Sequence, residues 1–330
     1  MAKTSGKASP RPPVVVVTGP TASGKSGLAL TLAEAFGGVV INADSMQVYR
    51  ELAILTARPG ADALARAAHR LYGVLPGRER CSAGRWRTMA LAEIAATQAA
   101  GKLPLLVGGA GLYLRALERG LAPVPGIPAA VRAAARALHQ KLGGEAFHAA
   151  LAIRDPATAA RLRPGDTQRL IRAWEVMEAT GRSLAEWQAA GADAAGTHGG
   201  SAPYRFLHLV RLPPRERLYA ACDARLLRMI EAGALDEVRA LLALGLDPSL
   251  PVMKALGVRE LSGHLAGALS LDEAIARAQQ ATRNFAKRQM TWLRTQTPRD
   301  DGRTVILSEQ FLERLDPDIF TIIRRFLLTG

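Results

Sequence analysis

The chain has 330 residues, of which 48% are hydrophobic and only two are cysteine, with a formal net charge of +14. The length allows about two domains of ordinary size. No apolar run nears the ~18 residues a membrane span needs, so no membrane partner is expected, and the sparse cysteine usage fits a reducing cytoplasm. Cys81 and Cys222 lie far apart without metal-ligand spacing, which argues against a disulfide framework or a zinc site. The positive charge, where it is more than an arginine-rich composition, calls for a polyanionic partner such as nucleic acid.

Residues 1–13 are basic and rich in proline and serine, and read as a disordered tail. Val14 to Thr18 is a β-branched run that predicts a buried strand. The segment Gly19-Pro20-Thr21-Ala22-Ser23-Gly24-Lys25-Ser26 then fits G-x-x-x-x-G-K-[ST], the phosphate-cradling P-loop, and Ser26 to Phe36 predicts a helix. Backbone N–H groups at such a strand–loop–helix turn attract an anion. Lys25 adds a mobile charge and Ser26 offers a hydroxyl to Mg²⁺. A second strand is expected at Val39–Asn42, a helix capped by Ser82 running to about Ala100, a third core strand at Leu103–Val107 ended by Gly108-Gly109, and a further helix from Leu112 to Leu117. Alternating strands and helices imply a parallel sheet with ligands at the carboxyl ends of its strands. Gly19–Ser26, Asp44 and Gly108–Gly111 should therefore converge on one cleft.

Residues 123–203 change character after the linker Ala122–Pro128. Helical patterns at Ala129–Leu142, Ala157–Leu162 and Gln168–Ala179 carry hardly any strand signal, and Gly191–Ser201 punctuates the end. This is expected to be an all-helical insertion domain nested in a core of residues 14–122 and 204–330. A strand at Tyr204–Val210 resumes that core. Helices follow at about Arg215–Ala243, Val252–Gly263 and Asp272–Arg294, then a short strand Thr304–Leu307 and a helix over 317–328.

Asp44, in Asn42-Ala43-Asp44-Ser45-Met46-Gln47, is either the acceptor of a local turn or a carboxylate facing the phosphate cleft as general base or metal ligand. The third core strand carries no acidic residue where a nucleotide hydrolase would often place its metal ligand. Lys287-Arg288-Gln289-Met290-Thr291-Trp292-Leu293-Arg294 is either an ordinary amphipathic helix or one that tracks RNA phosphates. Gln168-Arg169-Leu170-Ile171-Arg172 and Lys254-Ala255-Leu256-Gly257-Val258-Arg259 pose the same choice, and Arg225 is either a surface ion pair or a clamp on a diphosphate. The six histidines show no ligand spacing.

Taken together, GPTASGKS at 19–26, INADSMQVYR at 41–50, TARP at 56–59, GGAGLYLRAL at 108–117, DTQRLIRAWEV at 166–176 and ATRNFAKRQMTWLR at 281–294 resemble, in order, the tRNA dimethylallyltransferase (isopentenyltransferase) family. The resemblance implies a P-loop NTPase-like parallel α/β core. It also implies transfer of a dimethylallyl group from dimethylallyl diphosphate to N6 of the adenosine 3′ of the tRNA anticodon. In that reading Asp44 is the general base, while Lys25, Ser26 with Mg²⁺, and Arg225 stabilise the leaving diphosphate. Residues 44–47 and Ala110 meet the target base; residues 168–172, 254–259 and 287–294 hold the anticodon stem–loop, over which the helical insertion closes. A monomer is expected. The family usually has threonine where this chain has Ala110, which implies reduced rather than abolished activity, and the stretch around His69–Pro76 matches only loosely. The alternatives are a kinase using ATP at the same loop, an enzyme prenylating free adenine nucleotides, and an RNA-binding NTP switch without transferase chemistry.

Overall fold

The computed structural model describes residues 11–197, 202–297, 302–308 and 317–329. Its contacts divide the chain into two units, residues 1–117 with 203–330, and residues 118–202.

The first unit is built on a six-stranded parallel sheet of order β3-β2-β4-β1-β5-β6. Its strands are β1 (Pro13–Thr18), β2 (Gly38–Asn42), β3 (Ala68–Arg70), β4 (Leu103–Gly108), β5 (Arg205–Arg211) and β6 (Thr304–Leu307). Val14, Val15, Val16 and Val17 in β1 have no solvent exposure. Their side chains alternate: Val14 and Val16 enter one core, Val15 and Val17 the other. A strand covered on both faces must be apolar at every position, which is why this run has no polar alternation. Burying each valine stabilises by about 1.5–3 kcal/mol. One core takes in α3 (Ala83–Ala99), α4 (Gly111–Arg119), α9 (Arg215–Glu231), α10 (Ala234–Ala243), α11 (Val258–Leu265) and α12 (Leu271–Gln296). The other takes in α1 (Lys25–Phe36) and α13 (Pro317–Leu328). A short helix α2 (Ala61–Arg66) precedes β3.

The second unit has its own core around Phe147, Leu151, Leu170 and Ala173. It is formed by α5 (Ala129–Arg154), α6 (Pro156–Ala159), α7 (Thr167–Thr180) and α8 (Leu184–Thr197).

Several expected boundaries shift, each for a local reason. The expected disorder of residues 1–10 falls outside the described residues, while Pro13 already belongs to β1. The helix expected to stop at Leu142 breaks at Gly143, which takes φ 74°, ψ 173°, and then resumes to Arg154. The glycine-punctuated end expected at Gly191–Ser201 is helical as far as Thr197. Gly191 is there for proximity, since a Cβ on it would lie 2.9 Å from Ala122 Cα. The single helix expected over Arg215–Ala243 divides at Gly233, whose φ of 96° suits glycine. The helix expected from Val252 is a 3₁₀ turn, Val252–Lys254, before α11. β3 and α2 were not anticipated; with three residues, β3 is too short to show a period. Ser82 caps α3 as expected, accepting from the Arg85 N–H.

Candidate active site

The loop after β1 is held open by backbone conformation. Ala22 and Gly24 take φ values of 62° and 80°, the left-handed region that turns successive N–H groups toward a common point. Gly24 caps α1 without a side-chain hydrogen bond, and no acidic residue stands in the first turn. The helix N-terminus thus keeps its orphan donors and its positive dipole end for an anion. Gly19 cannot bear a side chain, because a Cβ there would meet Ser23 Oγ at 2.6 Å and the Arg211 carbonyl at 2.9 Å.

Four groups brace this loop from outside. Arg211, at the end of β5 and almost fully buried, donates from Nε to the Ser23 carbonyl at 2.8 Å. Loss of hydration brings its guanidinium down to about 10. Thr18 Oγ1 donates to the Gly108 carbonyl at 2.8 Å, joining β1 to the end of β4. Arg225 on α9 donates to Thr21 Oγ1. Gln289 on α12 accepts from the Thr21 N–H at 2.8 Å and donates to the Gly109 carbonyl at 3.0 Å. Ser23 Oγ is fully buried with no hydrogen-bond partner among the described residues.

Lys25 folds back to donate to the Pro20 carbonyl at 3.3 Å. Although the residue is half-exposed, its ammonium is enclosed by protein, and that desolvation lowers its pKa to about 8. Asp44 opposes the shift and Arg225 adds to it. Arg225 is likewise lowered, first by burial, with the Asp44 charge acting the other way. Asp44 therefore acts electrostatically on Lys25 of the loop and on Arg225 of α9.

Asp44 itself is a turn residue as well as a charge. Its Oδ1 accepts from the Met46 N–H at 2.9 Å, and its own N–H donates to Asn42 Oδ1 at 2.8 Å. Buried Asn42 also donates to the Asp44 and Leu71 carbonyls, each at 3.0 Å. Beneath it Trp86 stacks on Tyr113 with centroids 4.6 Å apart, and Trp86 Nε1 donates to the Asn42 carbonyl. Burial is the main cause that raises the Tyr72 and Tyr113 phenols; the Asp44 charge adds to both. The turn reading of Asp44 is thus realised in its local hydrogen bonds.

The Gly108-Gly109-Ala110-Gly111 turn is glycine-rich because three neighbours crowd it. A Cβ on Gly108 would lie 2.1 Å from the Ala43 carbonyl oxygen, on Gly109 2.3 Å from Gln289 Nε2, and on Gly111 2.4 Å from the Trp292 ring. The Ala110 N–H donates to the Ala43 carbonyl at 3.3 Å. The ends of β1, β2 and β4 are thereby brought together as expected.

Some expected RNA-contacting residues face inward. Ala255, Gly257, Val258, Gln289, Met290 and Leu293 are buried in the first unit, and Leu170 lies in the core of the second. Their side chains serve packing or, for Gln289, the phosphate loop. Ser45 and Met46 are half-buried beside Asp44, and the Gln47 amide is spent on the Thr56 and Ala57 carbonyls at 2.7 and 3.0 Å. Half-buried Leu256 adds no exposed contact. Lys254, Arg259, Lys287, Arg288, Thr291 and Arg294 are exposed in the first unit, with Trp292 half-buried over Gly111. In the second unit Gln168 and Arg169 are exposed, with Ile171 and Arg172 half-buried. Arg169 pairs with Asp166 and Arg172 with Glu175, each at 3.5 Å.

Two further residues carry almost no signal along the chain. A charge closing the apolar run of β5 was the only hint of Arg211. Glu237 on α10 accepts from the N–H groups of Ala53, Ile54 and Leu55 at 2.6, 2.8 and 2.9 Å, fixing the loop that follows Asp44. Among the described residues there is no group of three or more His, Cys, Asp or Glu able to hold a metal, and no helix is long and apolar enough to cross a membrane.

Residues 47–296 match the family model described as IPP transferase, and residues 12–78 the one described as isopentenyl transferase. The chain is 63% identical over 284 residues to a tRNA dimethylallyltransferase of Rhodospirillum centenum, covering 86% of this chain and 89% of that one. It is 56% identical over 318 residues to one of Paramagnetospirillum magneticum, covering 96% and 98%. Among solved structures it resembles a full-length tRNA isopentenylpyrophosphate transferase of Bacillus halodurans, with TM-score 0.64, 29% identity and 96% of each chain covered. It also resembles a eukaryotic dimethylallyltransferase captured acting on tRNA, with TM-score 0.77, 25% identity, and 94% of this chain and 77% of that one covered.

Proposed function

Because the chain belongs to the IPP transferase family, we propose that it transfers a dimethylallyl group from dimethylallyl diphosphate to N6 of the adenosine 3′ of the anticodon in tRNA. The observation that carries this reading is geometric: Asp44 follows β2 where the Ala110 N–H joins the end of β4 to Ala43, and the phosphate loop after β1 carries Lys25 and is braced at Thr21 by Arg225 of α9. A nucleophile's proton and a departing diphosphate can then be served in one place.

The bond between the prenyl carbon and the diphosphate oxygen breaks as the bond to N6 forms. The backbone N–H groups of 19–26, Lys25 and Arg225 stabilise the charge that develops on the diphosphate. Such preorganised donors are each worth about 2.7–4 kcal/mol in a transition state. Asp44 Oδ2, the oxygen not engaged by Met46, accepts the N6 proton, a contribution of about 10²–10⁴-fold. Mg²⁺ would be held by the exposed Ser26 hydroxyl at the start of α1. A sparse oxygen donor set fits an ion that keeps its waters and binds largely through substrate phosphates, and when bound it supplies charge neutralisation at the leaving group. The target base must leave its stack at a cost of a few kcal/mol. Exposed Lys254, Arg259, Lys287, Arg288 and Arg294, with Gln168, Arg169 and Arg172 of the second unit, meet the RNA backbone. The enzyme works as a monomer in the cytoplasm, where its RNA acceptor is found.

The test is incubation with labelled dimethylallyl diphosphate, Mg²⁺ and unmodified tRNA, beside a parallel reaction with ATP. Label in the tRNA is expected. ATP turnover with no label in RNA would replace the transferase by a kinase or a switch.

A further inference from the structure

Three chain segments outside the site meet on one surface of the first unit. The loop that begins at Asp44 continues to Arg50 and Glu51. Arg50 N–H donates to the Leu75 carbonyl at 3.0 Å and its guanidinium to the Val74 carbonyl at 3.2 Å. Gly77 N–H donates to Glu51 Oε1 at 2.9 Å, and a Cβ on Gly77 would lie 3.0 Å from Val252 and 3.2 Å from Leu246. Arg80 donates to Ser249 Oγ at 2.8 Å. Residues 49–51, 74–85 and 246–254 therefore form one continuous face, which runs from the Asp44 loop to Lys254.

Its charges are unevenly committed. Every carboxylate there is drawn into a local contact: Glu51 by Gly77, Glu79 by Arg85 at 2.6 Å, and Asp247 by the Ser249 N–H and hydroxyl at 2.7 and 2.9 Å. The cations Arg50, Arg78, Arg80 and Lys254 are exposed, and none makes an ion pair among the described residues. Arg50 and Arg80 are steered by neutral acceptors that fix their stems without cancelling their charge. Glu51 and Asp247 keep their own charge against neutral donors, so the face carries five cations, Arg50, Arg78, Arg80, Arg85 and Lys254, against three carboxylates, an excess of two positive charges.

We propose that Arg50, Arg78 and Arg80 form an RNA-backbone contact surface that joins the Asp44 loop to Lys254. Planar guanidinium forks suit phosphate oxygens. The proposal rests on tRNA being the acceptor and extends the contact beyond the three basic segments legible in the sequence.

The experiment measures binding of full-length unmodified tRNA by fluorescence anisotropy across a KCl series. It compares the unaltered protein with an Arg50→Gln/Arg78→Gln/Arg80→Gln variant. A control removes the same charge from exposed positions elsewhere, Arg66→Gln/Arg324→Gln/Arg325→Gln. Each phosphate contact contributes about 0.7–0.9 to the slope of log affinity against log salt. The patch variant should therefore lose about 2–3 from that slope, and the control should lose little. An unchanged slope in the patch variant, or an equal loss in the control, overturns the proposal. Prenyl transfer by the unaltered protein is measured alongside. If it labels tRNA while the patch variant keeps the original slope, this surface is wrong and the transferase reading stands; if it labels no tRNA, the transferase reading fails first.

Discussion

Replacing Gln289 separates two roles that the same residue could have. Gln289→Met keeps the volume but removes one acceptor and one donor. The Thr21 N–H and the Gly109 carbonyl, now held at 2.8 and 3.0 Å, would then lose their partners. A hydrogen bond is worth about 0.5–1.5 kcal/mol net, and a buried group left unsatisfied costs about 1–3 kcal/mol. Thr21 is only half-buried and can recruit water, so the expected loss of stability is about 2–3 kcal/mol. At this chain size that is a fall in Tm of roughly 3–4 °C. The larger effect should fall on the phosphate loop. With its tie to β4 cut, the N–H groups of 19–26 no longer aim together, and kcat/KM for the prenyl donor should fall by about 10–100-fold, with KM for the donor raised and KM for tRNA within twofold of its starting value. Gln289→Glu discriminates further. It still accepts from Thr21 but cannot donate to Gly109 and sets a negative charge beside the diphosphate cradle, so it should damage donor binding more than Gln289→Met does. Steady-state kinetics with each substrate varied in turn, with thermal melts in parallel, measure all of this. If Gln289→Met leaves the donor KM unchanged and raises the tRNA KM, Gln289 contacts RNA and its assignment to the phosphate loop is wrong.

Asp44→Asn should lower kcat by about 10²–10⁴-fold while leaving diphosphate inhibition nearly unchanged, since the amide oxygen can still accept from Met46; near-normal transfer would remove Asp44 as the base. Lys25 has a pKa lowered to about 8, so affinity for inorganic diphosphate should weaken as pH rises through about 8, and in Lys25→Arg that limb should disappear. The same shift has a stability sign. Between about pH 8 and the unfolded value of 10.5 the unfolded chain binds a proton that the folded chain does not, so this group makes stability rise with pH across that window; a pH series of denaturant midpoints for the Lys25→Met variant against the parent should show the rise only in the parent. Glu237→Ala releases three N–H groups at positions 53–55 and should cost about 2–4 kcal/mol, with faster hydrogen exchange confined to residues 47–58; exchange that spreads evenly over the sheet would show that Glu237 has no special hold on that loop.

The strands and the phosphate loop were legible because their causes are local. A strand buried on both faces needs an unbroken apolar run, and Val14–Val17 has one. A left-handed turn onto a helix N-terminus favours glycine, and Gly24 supplies it. The capped start of α3 and the order of the basic segments could be read for the same reason. Short or compensated features could not. Three-residue β3 shows no period, and α8 runs through a glycine that would ordinarily count against a helix.

Most of what the sequence alone determined is a glycine-rich turn between β1 and α1, a nearby carboxylate and a set of basic segments, since residue type and spacing along a few turns suffice for these. Only the tertiary structure decided which groups serve them. Gln289 reaches Thr21 across 268 residues, Arg211 reaches Ser23 across 188, and Glu237 reaches Ala53 across 184. A glutamine on a basic helix and a glutamate on an acidic helix start look like surface residues until the fold turns them inward. There, with Gln289 buried and Glu237 half-buried, each is held in place by the backbone groups it satisfies.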